Sequence, residues 1–176
     1  MTNESKIALD LLRSRRSIRA FADRPIEEDV LKAIVEAGCY APSAMNRQMW
    51  HFTVLTKREE MDRLACLTKE ALNLDEGYCF YRPAAFVILS NEEENAMGRD
   101  DCACALQNIF LAAHALGVGS VWINQLRHVC DEAKVRDLLT AYGVPTTHKV
   151  YGCAALGYPA AEPRDKTLLA GRITYR

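Results

Sequence analysis

The sequence predicts an α+β domain, and three observations carry that prediction. Apolar residues recur at helical spacing in Asn3–Arg13, Ile26–Cys39, Glu59–Leu72, Asp100–Leu116 and Asp131–Tyr142. Short apolar runs, alternating or continuous, occupy Trp50–Thr56, Ala84–Leu89, Gly119–Asn124 and Val150–Leu156. Helical stretches come first and strands then interleave with helices, the order expected of a sheet-and-helix layer. A chain of 176 residues suits one domain, 1–176, that buries roughly 70% of its unfolded surface.

Each element has its own local signal. Ile7, Leu11 and Leu12, with Ala8, form an apolar face on the first helix. Arg15–Arg24 is polar, is broken only by Ile18 and Phe21, and reads as a loop. Pro25 then opens a helix whose first turn is favoured by Glu27, Glu28 and Asp29 and whose inner face is Val30, Leu31, Ile34 and Val35. Ala41–Arg47 is a second loop. After the first strand, Met61, Leu64, Ala65 and Leu72 mark the third helix, and Leu74–Arg82 has no clear period. The helix from Asp100 carries almost no charge after Asp101, so most of its surface should be covered by the core or by a second subunit. Gly117 ends it. The last helix, Asp131–Tyr142, is expected to be capped by Asp131 or the residue before it, and Gly143-Val144-Pro145 stops it. Residues 160–176 are too polar for a core of their own and read as a C-terminal extension able to pack on a partner subunit.

Composition narrows the function. With 22 basic and 23 acidic residues the formal net charge is -1, which offers no general footprint for nucleic acid. No run approaches the roughly 18–20 apolar residues that span a bilayer, and the polar Met1–Lys6 start does not read as a signal peptide. Seven scattered cysteines fit free thiols in a reducing cytoplasm rather than a disulfide framework. Cys102 and Cys104 lie on one helix with side chains about 200° apart, which rules out a shared metal and makes both buried thiols by expectation. His51, His114, His128 and His148 show no metal-ligand spacing, so no metal is expected.

Against that neutral background Arg15-Arg16-Ser17-Ile18-Arg19 stands out. Arginine keeps its charge and offers a planar fork of donors, so the cluster suits a small anion, with phosphate the natural candidate. In the second loop Pro42 and Ser43 fix a turn, and Asn46 and Gln48 offer amides that donate and accept together, as a heterocycle with imide edges requires. Gly117-Val118-Gly119 follows a helix rather than a strand, which is the wrong setting for a dinucleotide loop and the right one for a helix C-cap.

In order, RRSIRAF, APSAMNRQMWHFTVL, Asp100-Asp101, Gln107-Asn108, GVGSVW and Leu156-Gly157-Tyr158-Pro159 resemble the nitroreductase family of flavin mononucleotide (FMN) oxidoreductases over essentially the whole chain. The resemblance implies a central, mainly antiparallel sheet of four to five strands flanked by helices, and an intertwined homodimer with FMN at the subunit interface. It assigns Arg15, Arg16 and Ser17 to phosphate or ribityl oxygens, and Arg19 to the pyrimidine edge of the flavin. Pro42, Ser43, Ala44, Asn46 and Gln48 would meet the flavin of the other subunit. Trp122, Ile123, Asn124 and Gln125 would pass beside the ring, with a backbone N–H of Asn124 or Gln125 near N5. Arg172, or else Lys166 or Arg164, would complete the phosphate site. Met49 stands where the family often has proline. The implied activity is hydride transfer from NADH or NADPH through flavin N5 to a nitroaromatic or quinone in ping-pong fashion. Alternatives are a specific enone or halogenated aromatic substrate, a flavin-binding redox sensor without turnover, or a phosphate-binding module without flavin.

Overall fold

The computed structural model describes residues 1–167 and 173–174. Eleven elements follow in chain order, including two single turns of 3₁₀-helix at Ala44–Asn46 and Gln125–His128. The helices are α1 (Asn3–Ser14), α2 (Glu28–Cys39), α3 (Arg58–Leu72), α4 (Gly98–Ala115) and α5 (Ala133–Ala141). The strands are β1 (Trp50–Leu55), β2 (Ala85–Glu92), β3 (Gly119–Ile123) and β4 (His148–Gly157). They form one sheet in the order β1-β2-β4-β3 with every neighbouring pair antiparallel. The α+β expectation and the antiparallel sheet are therefore borne out.

Both faces of the sheet are covered, which follows from the unbroken apolar run of β2. Its residues alternate between two cores. Ala85, Val87 and Leu89 face α2 and α4, together with Leu106 and Ile109. Phe86 and Ile88 face α3 and α5, together with Leu64 and Leu139.

Element ends differ from expectation where polar residues act across the chain. α2 starts at Glu28 rather than Ile26, because Glu27 keeps an extended backbone and its carboxylate is held by Arg24 (2.6 Å) and the Tyr158 hydroxyl. β2 continues past Leu89 through Ser90 and Asn91, both fully buried, which pair with β4 beyond an irregularity at Leu89/Ser90. Asp131 does not cap α5. The helix begins at Ala133 with no side-chain cap, and Asp131 instead binds Arg136 at 2.8 Å and Lys149 at 3.4 Å. Only one of the two helix thiols is buried. Cys102 is in the core, where burial pushes its pKa to about 12, and Cys104 faces outward.

Residues 73–82 are mostly exposed and are anchored at Phe80. Phe80, Tyr81 and Arg82 all have left-handed backbones, and Phe80 is buried in a stacked contact with Phe86 at 4.5 Å. By contrast α1 has no buried residue, and Ile7 and Leu12 of its apolar face are exposed.

The Glu27 contacts give a pH-dependent prediction. Hydrogen bonds from Tyr158 and Arg24 lower the Glu27 pKa to about 2, below the roughly 4.3 of an unfolded glutamate. A depressed carboxylate stabilises the fold above its unfolded pKa and loses that contribution as pH falls through the folded one. The stability gap between the wild type and Tyr158→Phe in urea unfolding should therefore be present at pH 6 and shrink towards pH 2. A pH-independent gap would assign the Tyr158 effect to packing.

Candidate functional site

The arginine loop is fixed to the free edge of β3. Ser17 bridges Ser120 in parallel register, and the Ile18 N–H donates to the Ser120 carbonyl at 3.0 Å. The loop then crosses the end of β4, where Phe21 bridges Pro159 and the Ala22 N–H donates to the Tyr158 carbonyl at 2.8 Å. Two glycines paired across β3 and β4 permit this approach. A Cβ at Gly119 would lie 2.9 Å from Ile18 Cβ, and one at Gly157 would lie 2.9 Å from the Phe21 ring. With Ile18 and Phe21 seated on the sheet, the intervening and flanking polar residues stay at the surface. Arg15–Ala20 and Ala161–Lys166 line a cleft of about 890 Å³.

The electrostatics of this cleft suit an anion. Among the described residues no carboxylate lies within 4 Å of Arg15, Arg16 or Arg19. Among the described residues Arg16 donates only to the carbonyls of Arg13 (2.6 Å) and Arg15 (3.0 Å). Partial burial and the charge of Arg16 lower the pKa of Arg15. His114, bonded to the Ser14 hydroxyl at 2.7 Å, is likewise lowered by burial and by both arginines. Beside the larger effect of burial, the arginine charge felt by Arg15 and His114 marks a positive potential that an anion would relieve. Arg164 and Lys166 border the same cleft. Arg172 lies outside the described residues.

The second loop sits at the other end of the molecule. Ala44–Asn46 is a 3₁₀ turn after Ser43, and Met45, Asn46 and Gln48 all have left-handed backbones with φ between 51° and 54°. Such conformations cost non-glycine residues about 1–3 kcal/mol each, and they persist only where neighbours fix them. Here the Gln48 N–H donates to Ser43 Oγ (3.1 Å), and the Gln48 side-chain amide donates to Asn46 Oδ1 (2.8 Å). The two amides are therefore joined to each other. The Ala44 N–H donates to Asp101 Oδ1 (2.9 Å). Asp101 and Asn108 thus hold structure as well as matching a motif: Asn108 ties α4 to the Ala37 carbonyl of α2 (3.1 Å), just ahead of this loop.

One helix measures the distance between the loops. The second loop is bound at Asp101, near the start of α4, and the arginine loop lies by His114, in its last turn. Thirteen residues of α-helix span about 20 Å. The strands beside the loops, β1 and β3, are also the two edges of the sheet, about 14 Å apart at the usual strand spacing. The structure does not bring the two loops together within one chain.

Trp122–Gln125 lies at the arginine-loop edge. Trp122 is 39% exposed, with its ring centroid 5.9 Å from that of Phe110. Ile123 is core, and Asn124 begins the Gln125–His128 turn rather than ending the strand. The Asn124 N–H donates to Gln125 Oε1 at 3.2 Å, so one of the two backbone donors expected there already has a partner.

Comparison with known proteins agrees with this architecture. The model of the nitroreductase family matches residues 12–158. A crystal structure of a nitroreductase with bound FMN from Bacteroides fragilis is 43% identical, superposes with a TM-score of 0.92, and covers 99% of this chain and 100% of its own. An Archaeoglobus fulgidus protein provisionally named an NADH dehydrogenase/NAD(P)H nitroreductase is 32% identical over 163 residues, 88% of this chain and 86% of that one. The NADPH-flavin oxidoreductase of Vibrio harveyi is 27% identical over 175 residues, 94% of this chain and 71% of that one. With a family match across most of its length and a relative 32% identical over most of both chains, the chain belongs to the nitroreductase family.

Proposed function

We propose that this protein is an FMN-dependent oxidoreductase that takes reducing equivalents from NADH or NADPH and delivers them to an electron-poor acceptor of nitroaromatic or quinone type. The observation that carries this reading is the cluster of Arg15, Arg16 and Arg19, held on β3, whose guanidinium groups have no carboxylate within 4 Å among the described residues although Glu162 and Asp165 also line the cleft. Its donor set fits a phosphate, and the family relatives with bound FMN give the rest of the molecule a precedent. When bound, the flavin supplies two-electron chemistry at N5.

The residues then divide by task. Arg15, Arg16 and Ser17 hold the phosphate and ribityl oxygens through charge-assisted hydrogen bonds, joined by a basic residue of the tail. Arg19 supplies fixed positive charge for the pyrimidine edge, where negative charge accumulates on reduction. Trp122 and the Asn124–Gln125 backbone border the ring. No side chain is assigned as a general acid. An open cleft lets solvent protonate the product, and donor and acceptor use the same face in turn, as a ping-pong cycle requires.

A homodimer completes the site. The two loops stand at opposite ends of α4 and beside opposite edges of the sheet, and they meet one cofactor if the second belongs to a partner. Exposed apolar residues favour such an interface: Ile7 and Leu12 on α1, Tyr40 after α2, Met45 in the second loop and Leu116 after α4. The tail from residue 160 would pack on the partner. Free thiols fit a reducing cytoplasm, and among the described residues no helix is long and apolar enough to cross a membrane.

Purified protein should be yellow or become so with FMN, run as a dimer in light scattering, and lose its flavin absorbance on stopped-flow mixing with NADH or NADPH. Addition of a quinone or nitroaromatic should restore the colour. Failure to take up FMN would sink the reading. A flavin that binds but bleaches with neither nicotinamide would leave a sensor instead of an enzyme. A monomer that binds FMN fully would remove the shared site.

A further inference from the structure

We infer that Asp101 is a positioning residue for the second loop, acting through a buried polar relay of Asn91, Asn95 and Asp101 that sets the shape this loop presents to the cofactor. The inference rests on the flavin reading above for its functional consequence, but the anchoring itself does not depend on it.

The relay is enclosed. Asn91 is fully buried, Asp101 is 4% exposed and Asn95 is 8% exposed. Orientation is transmitted in one sense. The Met97 N–H donates to Asn95 Oδ1 (3.1 Å), which fixes that amide with its nitrogen facing the other way. Asn95 Nδ2 then donates to Asn91 Oδ1 (3.1 Å) and to Asp101 Oδ2 (3.3 Å). That leaves Asp101 Oδ1 for the Ala44 N–H at 2.9 Å. Both carboxylate oxygens are therefore acceptors, each from a donor that cannot turn round. Asparagine at position 101 would supply one acceptor and one donor, and it would leave one buried partner unmatched.

The relay also has little room to adjust. Asn91 sits in β2 against Gly98, where a Cβ would come within 3.1 Å of Asn91 Cβ. The receiving segment is strained: Met45, Asn46 and Gln48 hold left-handed backbones on the surface, and Met45 is 76% exposed, so its own packing does not explain its conformation. The other side-chain bonds of the loop, from Gln48 to Ser43 and Asn46 and from Arg47 to Met45, are internal to it. Asp101 is the side chain from outside the loop that accepts a hydrogen bond from its backbone among the described residues. A buried carboxylate that binds a surface turn 57 residues away in sequence fixes where that turn begins.

The test uses Asp101→Asn, Asn95→Leu and a control, Ile109→Val, which trims a fully buried residue of the same helix two turns on. Circular dichroism first establishes a temperature at which all are folded. In the FMN-free protein, trypsin cleavage after Arg47, an exposed residue of the loop, should speed up about tenfold in Asp101→Asn and less in Asn95→Leu, and stay at the wild-type rate in the control. In the FMN-loaded protein, Asp101→Asn should raise the FMN Kd by about tenfold and shift the flavin absorption bands, with the control unmoved. Unchanged cleavage in a folded Asp101→Asn protein overturns the anchoring. Faster cleavage with unchanged FMN affinity and spectrum overturns the functional half. If wild-type protein binds no FMN, the flavin reading fails and the cleavage result still decides the anchoring.

Discussion

Replacing Arg15 with alanine should weaken FMN binding by about 10- to 150-fold. The estimate follows from the loss of a charged donor worth about 1.5–3 kcal/mol, at 1.4 kcal/mol per factor of ten. Arg15 is chosen over its neighbours for a structural reason. It is half-buried, and its charge is already disfavoured by burial and by Arg16, so an anion in the cleft gains the relief of that repulsion as well as the bond. Removal should not harm folding, since Arg15 makes no ion pair among the described residues and the loop is seated by Ile18 and Phe21. The measurement is fluorescence titration of FMN into the apo-protein at two salt concentrations. Wild-type affinity should fall with salt, and the variant should show both weaker binding and a shallower salt dependence. Affinity within twofold of wild type would refute the phosphate assignment.

The largest expected effect on stability comes from Phe86→Ala, at about 3–5 kcal/mol. Phe86 is fully buried at the centre of the sheet, paired with Leu55 of β1 and Ala155 of β4. It also stacks on Phe80 with rings 20° from parallel. Truncation opens a cavity and removes the floor beneath the left-handed segment Phe80–Arg82, leaving the edge contact of Tyr78 with Phe80 and the Arg58 bond to the Arg82 carbonyl (3.4 Å) to hold it. For a chain of this length each kcal/mol lowers the melting temperature by roughly 2–4 °C, so a fall on the order of 6–20 °C is expected. Urea unfolding of the apo-protein should show a lower midpoint with an unchanged slope. Phe86 faces α3 and α5, on the side of the sheet opposite α4, and Phe21 is the arginine-loop residue packed against the same core, so FMN affinity at a temperature where the variant is folded should change far less than stability does. A loss below about 1 kcal/mol would mean that the site collapses around the smaller side chain.

Much of the fold was legible because its signals are local. The helical faces of α2, α3 and α5 and the apolar core of β2 follow from spacing, and their observed ends lie within a few residues of the expected ones. The misplaced ends share a cause. Ser90 and Asn91 look like the close of a strand, yet they are buried because β4 supplies their backbone partners. Glu27 looks like a first-turn residue, yet Tyr158, which is 131 residues away, holds it outside the helix. Asp131 looks like a cap, yet Arg136 and Lys149 claim it. A hydrogen bond or ion pair to a distant residue leaves no periodic trace.

The candidate site divides along the same line. Its residue types were visible in sequence: an uncompensated arginine cluster, a turn with two amides, and an aromatic at the end of a strand, all in an order that resembles one family. The sequence by itself thus determined the chemistry on offer and the elements that carry it, because charge, donor count and hydrophobic period belong to residues. Only the tertiary structure decided where those groups stand. It placed the two loops at opposite ends of α4, about 20 Å apart. It joined Asn46 to Gln48, gave the Asn124 N–H to Gln125, and buried Asp101 beneath Ala44. Those outcomes are set by packing between segments far apart in the chain, and packing depends on the whole set of neighbours.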